Sequence, residues 1–389
     1  MADDRPIVDP LERLRTRRSA KWRVHPPDVL PLTIAEMDYA LARPVRDALH
    51  DAVDRSDTGY AMVDPDVGTA LASFAEDWWG WRIDPSSVAA APDVSVAVVQ
   101  LLRVLARPGD AVVISPPIYP PFFEWLAEAD TRLLEVPLAH DPDTGWRLDL
   151  PALERAFAAR PSAYILCHPH NPVGRLHAPD ELAALVQLAT RYQVPIIADE
   201  IHGPLTLPGA TFTPLLTLPG AAEIALSVQS ASKAWNLAGL KCAMIVSGSA
   251  AMKAVTDRLP QDNRWRVGHF GALATVAALN DARDWLDMVL VDLGERRDQL
   301  GELIGARLPM IDWHPPAATY LAWLDCAPLG SGNEPHKLFL TEGRVAFEAG
   351  LRFGAVGSGH VRLNFATSME ILSEAVTRMA TAVATRNGR

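Results

Sequence analysis

Four short stretches of the 389-residue chain carry side chains that could do chemistry together. Pro116-Pro117-Ile118-Tyr119 ends in an aromatic ring, and His168-Pro169-His170-Asn171-Pro172-Val173-Gly174-Arg175 offers an amide. Asp199-Glu200-Ile201-His202 offers a carboxylate, and Ser230-Ala231-Ser232-Lys233 sets an amine among hydroxyls. These groups match the separate needs of pyridoxal phosphate. That cofactor requires an amine to condense with its aldehyde, and a carboxylate to keep its ring nitrogen protonated as an electron sink. It also requires a donor for its phenolate oxygen, a flat face to stack on, and donors for its phosphate. Lys233 would supply the amine, Asp199 the carboxylate, Asn171 the donor and Tyr119 the ring. Ser230, Ser232 and Lys241 would serve the phosphate. Helix starts bind anions, so backbone N–H groups at Val94 and Ser95 could join them.

Each stretch alone has a plainer reading. Ser-x-Ser-Lys is commonly a turn, Asp-Glu after a strand often caps a helix, and Asn-Pro commonly starts a turn. His168, His170 and His202 could ligate a metal, but His-x-His without a third ligand at a standard spacing makes no zinc site, and no metal is expected. Gly354 to Gly359 fits neither dinucleotide nor Walker spacing. Trp78, Trp79 and Trp81 read as core or interface rather than as a nucleobase platform. It is the four signals in order, each at a strand end, that carry the cofactor reading.

The strands themselves are short apolar runs: Ala111 to Ser115, Ala163 to Cys167, Val194 to Ala198, Ile224 to Val228 and Cys242 to Val246. Continuous apolar runs suit parallel strands covered on both faces. Helical periodicity lies between them, over Ser95 to Ala106 and over Pro179 to Tyr192, where Leu182, Leu185, Val186 and Ala189 share one face. Strand–helix alternation predicts an α/β domain with a mainly parallel sheet, whose ligands bind beyond the carboxyl ends of the strands. After about residue 280 the pattern changes to a long helix (Asp284 to Ala306), a strand (Thr319 to Leu324), a glycine-rich loop, a strand (Val361 to Phe365) and a closing helix. This predicts a smaller α+β C-terminal domain. The expected division is an N-terminal arm over 1–40, a large cofactor-binding domain over 41–280 and a small domain over 281–389.

Composition closes off other classes. With 49% hydrophobic and 21% charged residues the chain is not intrinsically disordered, and three cysteines form no disulfide framework. A net charge of −11 opposes a nucleic-acid footprint; the basic cluster Arg13, Arg15, Arg17, Arg18, Lys21 and Arg23 is short and isolated. No apolar run reaches the ~18 residues of a membrane span, and no signal peptide is visible. The expectation is a cytoplasmic protein with no membrane or nucleic-acid partner.

The chain resembles the fold-type-I pyridoxal-phosphate enzymes, the aspartate aminotransferase superfamily of class I and II. Within it, the chain is most similar to the bacterial C–S β-lyase branch of the MalY and PatB, cystathionine β-lyase-like type. The resemblance runs from Arg17-Arg18-Ser19-Ala20-Lys21-Trp22 to Arg362-Leu363-Asn364-Phe365-Ala366. It rests on Glu36-Met37-Asp38-Tyr39, Thr58-Gly59-Tyr60, Pro116 to Phe123, His170 to Arg175, Asp199 to His202, Ser230 to Lys233 and Asn236 to Lys241. It implies a seven-stranded-type sheet covered by helices, and a homodimer with shared sites in which Tyr60 reaches the phosphate and substrate region of the neighbouring subunit. It implies that Arg362 grips the substrate α-carboxylate beside Asn171 and Tyr119. His202 stands where aminotransferases often carry a tyrosine near the phenolate oxygen, and the lyase branch has histidine there.

Departures fall beside the expected pocket. The branch usually shows Trp-Val-Ala-Asp-Met-Asp-Phe where this chain has Thr33 to Tyr39, and Gly-Val-Val-Pro where it has Asp93-Val94-Ser95-Val96. Thr-Phe usually follows the lysine, here Ala234-Trp235. The resemblance implies α,β-elimination of an S-substituted cysteine to a thiol, pyruvate and ammonia, with Lys233 as the general base. An aminotransferase shares every step up to the carbanion and is the alternative; a regulatory protein that kept the fold and lost the chemistry is a third reading.

Overall fold

The computed structural model describes residues 7–63 and 65–387; residues 1–6, the start of the expected arm, lie outside the described residues. Seven strands make the central sheet: β1 (Val88–Ala91), β2 (Ala111–Ile114), β3 (Arg132–Glu135), β4 (Ala163–Cys167), β5 (Ile196–Asp199), β6 (Ala225–Gln229) and β7 (Ala243–Ser247). Their order is β1-β7-β6-β5-β4-β2-β3. Only β7 runs against its neighbours, antiparallel to both β6 and β1; the remaining pairs are parallel.

Every residue of β4, β5, β6 and β7 is buried, which is why these strands read as mainly apolar runs, broken only by Asp199, Ser227, Gln229 and Ser247. Alternate side chains feed two cores. Ile165 and Ile197 pack with Val98 and Leu101 of the helix Val94–Leu105 on one side of the sheet. Tyr164, Leu166 and Ile196 pack with Leu182, Leu185 and Val186 of the helix Pro179–Tyr192 on the other. Burying one such aliphatic side chain contributes roughly 1.5–3 kcal/mol, so helices are held against both faces of the sheet.

The mainly parallel sheet, the helix Pro179–Tyr192 and the long helix Arg283–Arg307 agree with the sequence reading. Only Ala163–Cys167 keeps its expected bounds; the other strands shift by one or two residues, and β5 is the informative case. β5 begins at Ile196 rather than Val194, because the Val194 N–H bonds back to the Ala189 carbonyl (2.9 Å) and closes the preceding helix, while Pro195 has no N–H to give. Its far end takes in Asp199, which therefore sits on the sheet rather than in the following loop. Edge strands β1 and β3, short and partly exposed, carry too little apolar signal to be legible in the sequence.

A second sheet is antiparallel, with Leu321–Asp325 and Glu348–Ala349 flanking His360–Asn364. The N-terminal segment joins it closely. Leu30–Pro31 pairs in parallel with Val345–Ala346, and the Asp38 N–H bonds to the Ala366 carbonyl at 2.9 Å. Residues 33–38 thereby form a strap that crosses between the two sheets. Among the described residues, no helix is long and apolar enough to cross a membrane.

Candidate functional site

Strands β2, β4, β5 and β6 are parallel, so the stretches that follow them emerge along one sheet edge. There they line one cavity of about 190 Å³. Tyr119, Asn171, Asp199, His202, Ser230, Ser232, Lys233 and Lys241 all face it, together with Val94 and Ser95 at the start of the helix Val94–Leu105. That helix starts there because Asp93 caps it, its Oδ1 accepting from the Val96 N–H at 2.8 Å. The structure thus brings ten of the twelve candidate residues to a single wall.

Arg362 borders the same space from the second sheet. Its guanidinium is buried; Nη1 donates to Asn171 Oδ1 (3.2 Å), Nη2 to the Thr33 carbonyl (2.9 Å), and its carbon lies 5.1 Å from the centre of the Phe353 ring. Tyr60 is the exception. It stands 82% exposed, away from the cavity of its own chain, with its ring edge-on to Trp265 at 5.9 Å.

Burial sets the electrostatics. It pushes the Asp199 carboxyl up to about 7, against the opposing effects of the Ile201 N–H and the Lys233 charge. Burial, helped by the Arg362 charge, pulls Lys233 down to about 8. His202 falls to about 3 through burial and the charges of Lys233 and Arg362, so the imidazole is neutral. Tyr119 is raised, again by burial first. An acid and an amine are therefore moved toward neutrality from opposite sides, the signature of groups tuned for proton transfer.

The residues fit pyridoxal phosphate. A carboxyl buried as deeply as Asp199 calls for a cationic N–H, and a protonated pyridine nitrogen is one. His202 Nδ1 and Arg362 Nε are buried without hydrogen-bond partners among the described residues, as groups reserved for a polar ligand would be. Ser232 and Lys241 line the cavity with Val94 and Ser95, Lys241 Nζ lying 2.9 Å from Asp93 Oδ2, whereas Ser230, also in the lining, gives its hydroxyl proton to the Cys242 carbonyl (2.7 Å). Among the described residues, no group of three or more His, Cys, Asp or Glu side chains is arranged to hold a metal ion. His168 and His170 are instead spent on backbone carbonyls, of Thr213 (3.1 Å) and Pro117 (2.9 Å).

Some of the site is main chain and leaves no trace in residue types. The Lys233 ammonium donates to the Ala35 carbonyl (3.0 Å), which also accepts from the buried Tyr320 hydroxyl (2.9 Å). Cys167 lines the cavity from the end of β4 and accepts from the Asn171 N–H at 3.4 Å. Asp93 was legible as a helix cap, an Asp before an apolar run, but not as a partner of Lys241 148 positions away.

Comparison with known proteins agrees with this geometry. The model of the family "aminotransferase class I and II" matches residues 27–379. A protein of Mycobacterium leprae (strain TN), provisionally named a cystathionine β-lyase, is 44% identical over 96% of both chains. The cystathionine β-lyase of Corynebacterium glutamicum is 34% identical over 95% of this chain and 98% of its own. The crystal structure of a provisionally named pyridoxal-phosphate-dependent β-cystathionase from Corynebacterium diphtheriae superposes with a TM-score of 0.91 at 33% identity, covering 97% of this chain and 98% of the other.

Proposed function

The chain belongs to the class I and II aminotransferase family, and from that premise we propose that it is a pyridoxal-phosphate-dependent carbon–sulfur β-lyase. It splits an S-substituted cysteine, of the cystathionine kind, into a thiol, pyruvate and ammonia with consumption of one water. The observation that carries the reading is the shared cavity of Lys233 and Asp199, an amine lowered to about 8 and an acid raised to about 7, with Arg362 at its border. Whole-length likeness to lyases favours elimination over transamination, as does His202 in place of a tyrosine.

When bound, the cofactor supplies an aldehyde that condenses with amines and a ring that draws electrons from the substrate's Cα. Asp199 would keep the ring nitrogen protonated, Asn171 would donate to the ring oxygen near His202, and Tyr119 would offer its ring for stacking. Ser230, Ser232, Lys241 and the N–H groups of Val94 and Ser95 would hold the phosphate, with Tyr60 supplied by a second subunit. Arg362 takes the substrate carboxylate as a two-toothed fork, a geometry that an ammonium cannot copy. Lys233 Nζ removes the Cα proton; a base near pH 8 is half free at mildly alkaline pH. The bond from Cβ to sulfur then breaks and the thiol leaves.

The same reading takes the protein as a cytoplasmic homodimer, with an arm over 1–40, a large domain over 41–280 and a small domain over 281–389. The pairing of Leu30–Pro31 with Val345–Ala346 supports counting the arm with the small domain. Incubation of the purified holoenzyme with cystathionine, without a keto acid, tests the reaction. Pyruvate and ammonia should form in equal amounts. Turnover only after a keto acid is added would overturn the lyase reading in favour of an aminotransferase.

A further inference from the structure

Two donors share the main-chain oxygen of Ala35, a residue of the cavity wall: the Lys233 ammonium at 3.0 Å and the Tyr320 hydroxyl at 2.9 Å. Neither the oxygen nor the hydroxyl is free to turn away. Asn364 Nδ2 holds the carbonyls on either side of Ala35, of Ile34 (2.7 Å) and Glu36 (2.8 Å), and the Glu36 N–H closes on the Ile34 carbonyl at 2.8 Å. Tyr320 has no exposed surface, and its ring meets His202 edge-on at 6.4 Å. The chain turns sharply to aim it. Thr319 takes φ +74°, rare for a β-branched residue, and is held there by its N–H on the Leu205 carbonyl (2.9 Å) and by its hydroxyl, which accepts from the Leu321 N–H (3.2 Å).

Tyr320 is not itself part of that wall, so its hydroxyl reaches the amine only through the shared oxygen. A carbonyl oxygen has two lone pairs and takes both donors. Each donor, however, sets a positive hydrogen beside the other, and the hydroxyl leaves less of the oxygen's negative charge for the ammonium. A hydrogen bond to the charged form favours that form, so weakening the bond favours the free amine. The hydroxyl has a second effect. When Lys233 leaves to join the cofactor, a buried oxygen without a partner would cost free energy, and Tyr320 keeps it satisfied. The amine is therefore released from Ala35 at little cost and held only loosely on its return.

We infer that Tyr320 is a positioning residue for Lys233, keeping the amine available by sharing the Ala35 oxygen with it. The role of Lys233 as base rests on the lyase reading, whereas its need to be free before it condenses with an aldehyde does not. The other charges acting on Lys233 are Asp199 from the end of β5, Arg362 from the second sheet, Glu36 from the strap and Lys241 beyond its own loop. His202 stands by as a neutral imidazole. Tyr320→Phe changes none of these groups and keeps the ring against His202.

The test follows condensation of the full-length apoprotein with pyridoxal phosphate by stopped flow, as growth of borohydride-sensitive absorption between pH 6.5 and 9.5. The rate tracks the fraction of free amine, whose midpoint lies at about 8 in the wild type. Tyr320→Phe should move that midpoint to about 8.5, so that the variant condenses about threefold more slowly than the wild type at pH 7 and equally fast at pH 9.5. A loss of the same size at both pH values would mean that Tyr320 only supports the fold, and would overturn the inference, as would unchanged or faster condensation at pH 7. Tyr320→3-fluorotyrosine, nearly the same size and a stronger donor, gives an independent arm should the phenylalanine variant fail to fold. It should move the midpoint downward; an upward shift or none would overturn the inference. Absence of pyruvate from cystathionine would sink the lyase reading alone, because condensation needs no substrate.

Discussion

Lys241 Nζ and Asp93 Oδ2 lie 2.9 Å apart at the end of the cavity where the helix Val94–Leu105 begins, so the cation placed for a phosphate is paired with a carboxylate of the same cup. The other oxygen of Asp93 caps that helix through the Val96 N–H. A dianionic phosphate must therefore share Lys241 with Asp93 and accept its negative charge nearby. Asp93→Asn keeps the cap, since Asn and Asp cap equally well, and removes the charge. We expect the variant to bind pyridoxal phosphate about two- to fivefold more tightly at low salt, with a smaller difference at high salt. Equilibrium dialysis of the apoprotein measures both; weaker binding would show that Asp93 assists the phosphate instead.

Lys233 is partly buried, and its amine donates to the Ala35 carbonyl at the cavity wall. Lys233→Ala should remove pyruvate formation while leaving the fold intact, because the shortened side chain opens the cavity rather than the core. It should also abolish borohydride-sensitive absorption of the reconstituted protein. A variant that still eliminates at more than a thousandth of the wild-type rate would refute the role of this amine.

The sequence made the wall of the site legible because parallel strands end where the chemistry begins. Asn171, Asp199 and Lys233 each follow an apolar run, and only one strand-and-edge rule was needed to bring them together. The strap was not legible. Its work is done by the carbonyls of Thr33, Ala35 and Glu36, and a carbonyl belongs to every residue type. Arg362 could be placed only by resemblance, since nothing in its own strand shows that Asn171, 191 positions earlier, will meet it. Tyr60 is legible in the motif Thr58-Gly59-Tyr60, yet its exposed ring has no cavity of its own chain to enter.

Arg362 is held from two sides, by Asn171 Oδ1 and the Thr33 carbonyl, which aligns the planar fork before a ligand arrives. Arg362→Lys keeps the charge but loses the paired hydrogen bonds and the Phe353 stacking. Steady-state kinetics on cystathionine should show KM raised by roughly 10- to 100-fold with a smaller fall in kcat, the loss of one charge-assisted bidentate contact. A fall confined to kcat would place the residue in the elimination step rather than in carboxylate binding.

Behind Asn171, His168 and His170 are completely buried, each ring centre 5.5 Å from that of His177. Burial, joined by the neighbouring imidazole, lowers both: His170 falls from 6.5 to about 3, and His168 well below its ordinary value. The sign follows from which state takes the proton. Below pH 6.5 the unfolded chain protonates these rings and the folded one does not, so stability is complete above 6.5 and drains away as pH falls toward 3. Each such ring adds about 1.4 kcal/mol per pH unit to the slope within that window. His168→Gln can keep a hydrogen bond to the Thr213 carbonyl and cannot titrate. Urea unfolding of the variant should therefore show a slope between pH 6 and 5 shallower by about one proton than that of the wild type, whatever its stability at pH 8. Parallel slopes would mean that water reaches this histidine and that the folded protein accepts the proton after all.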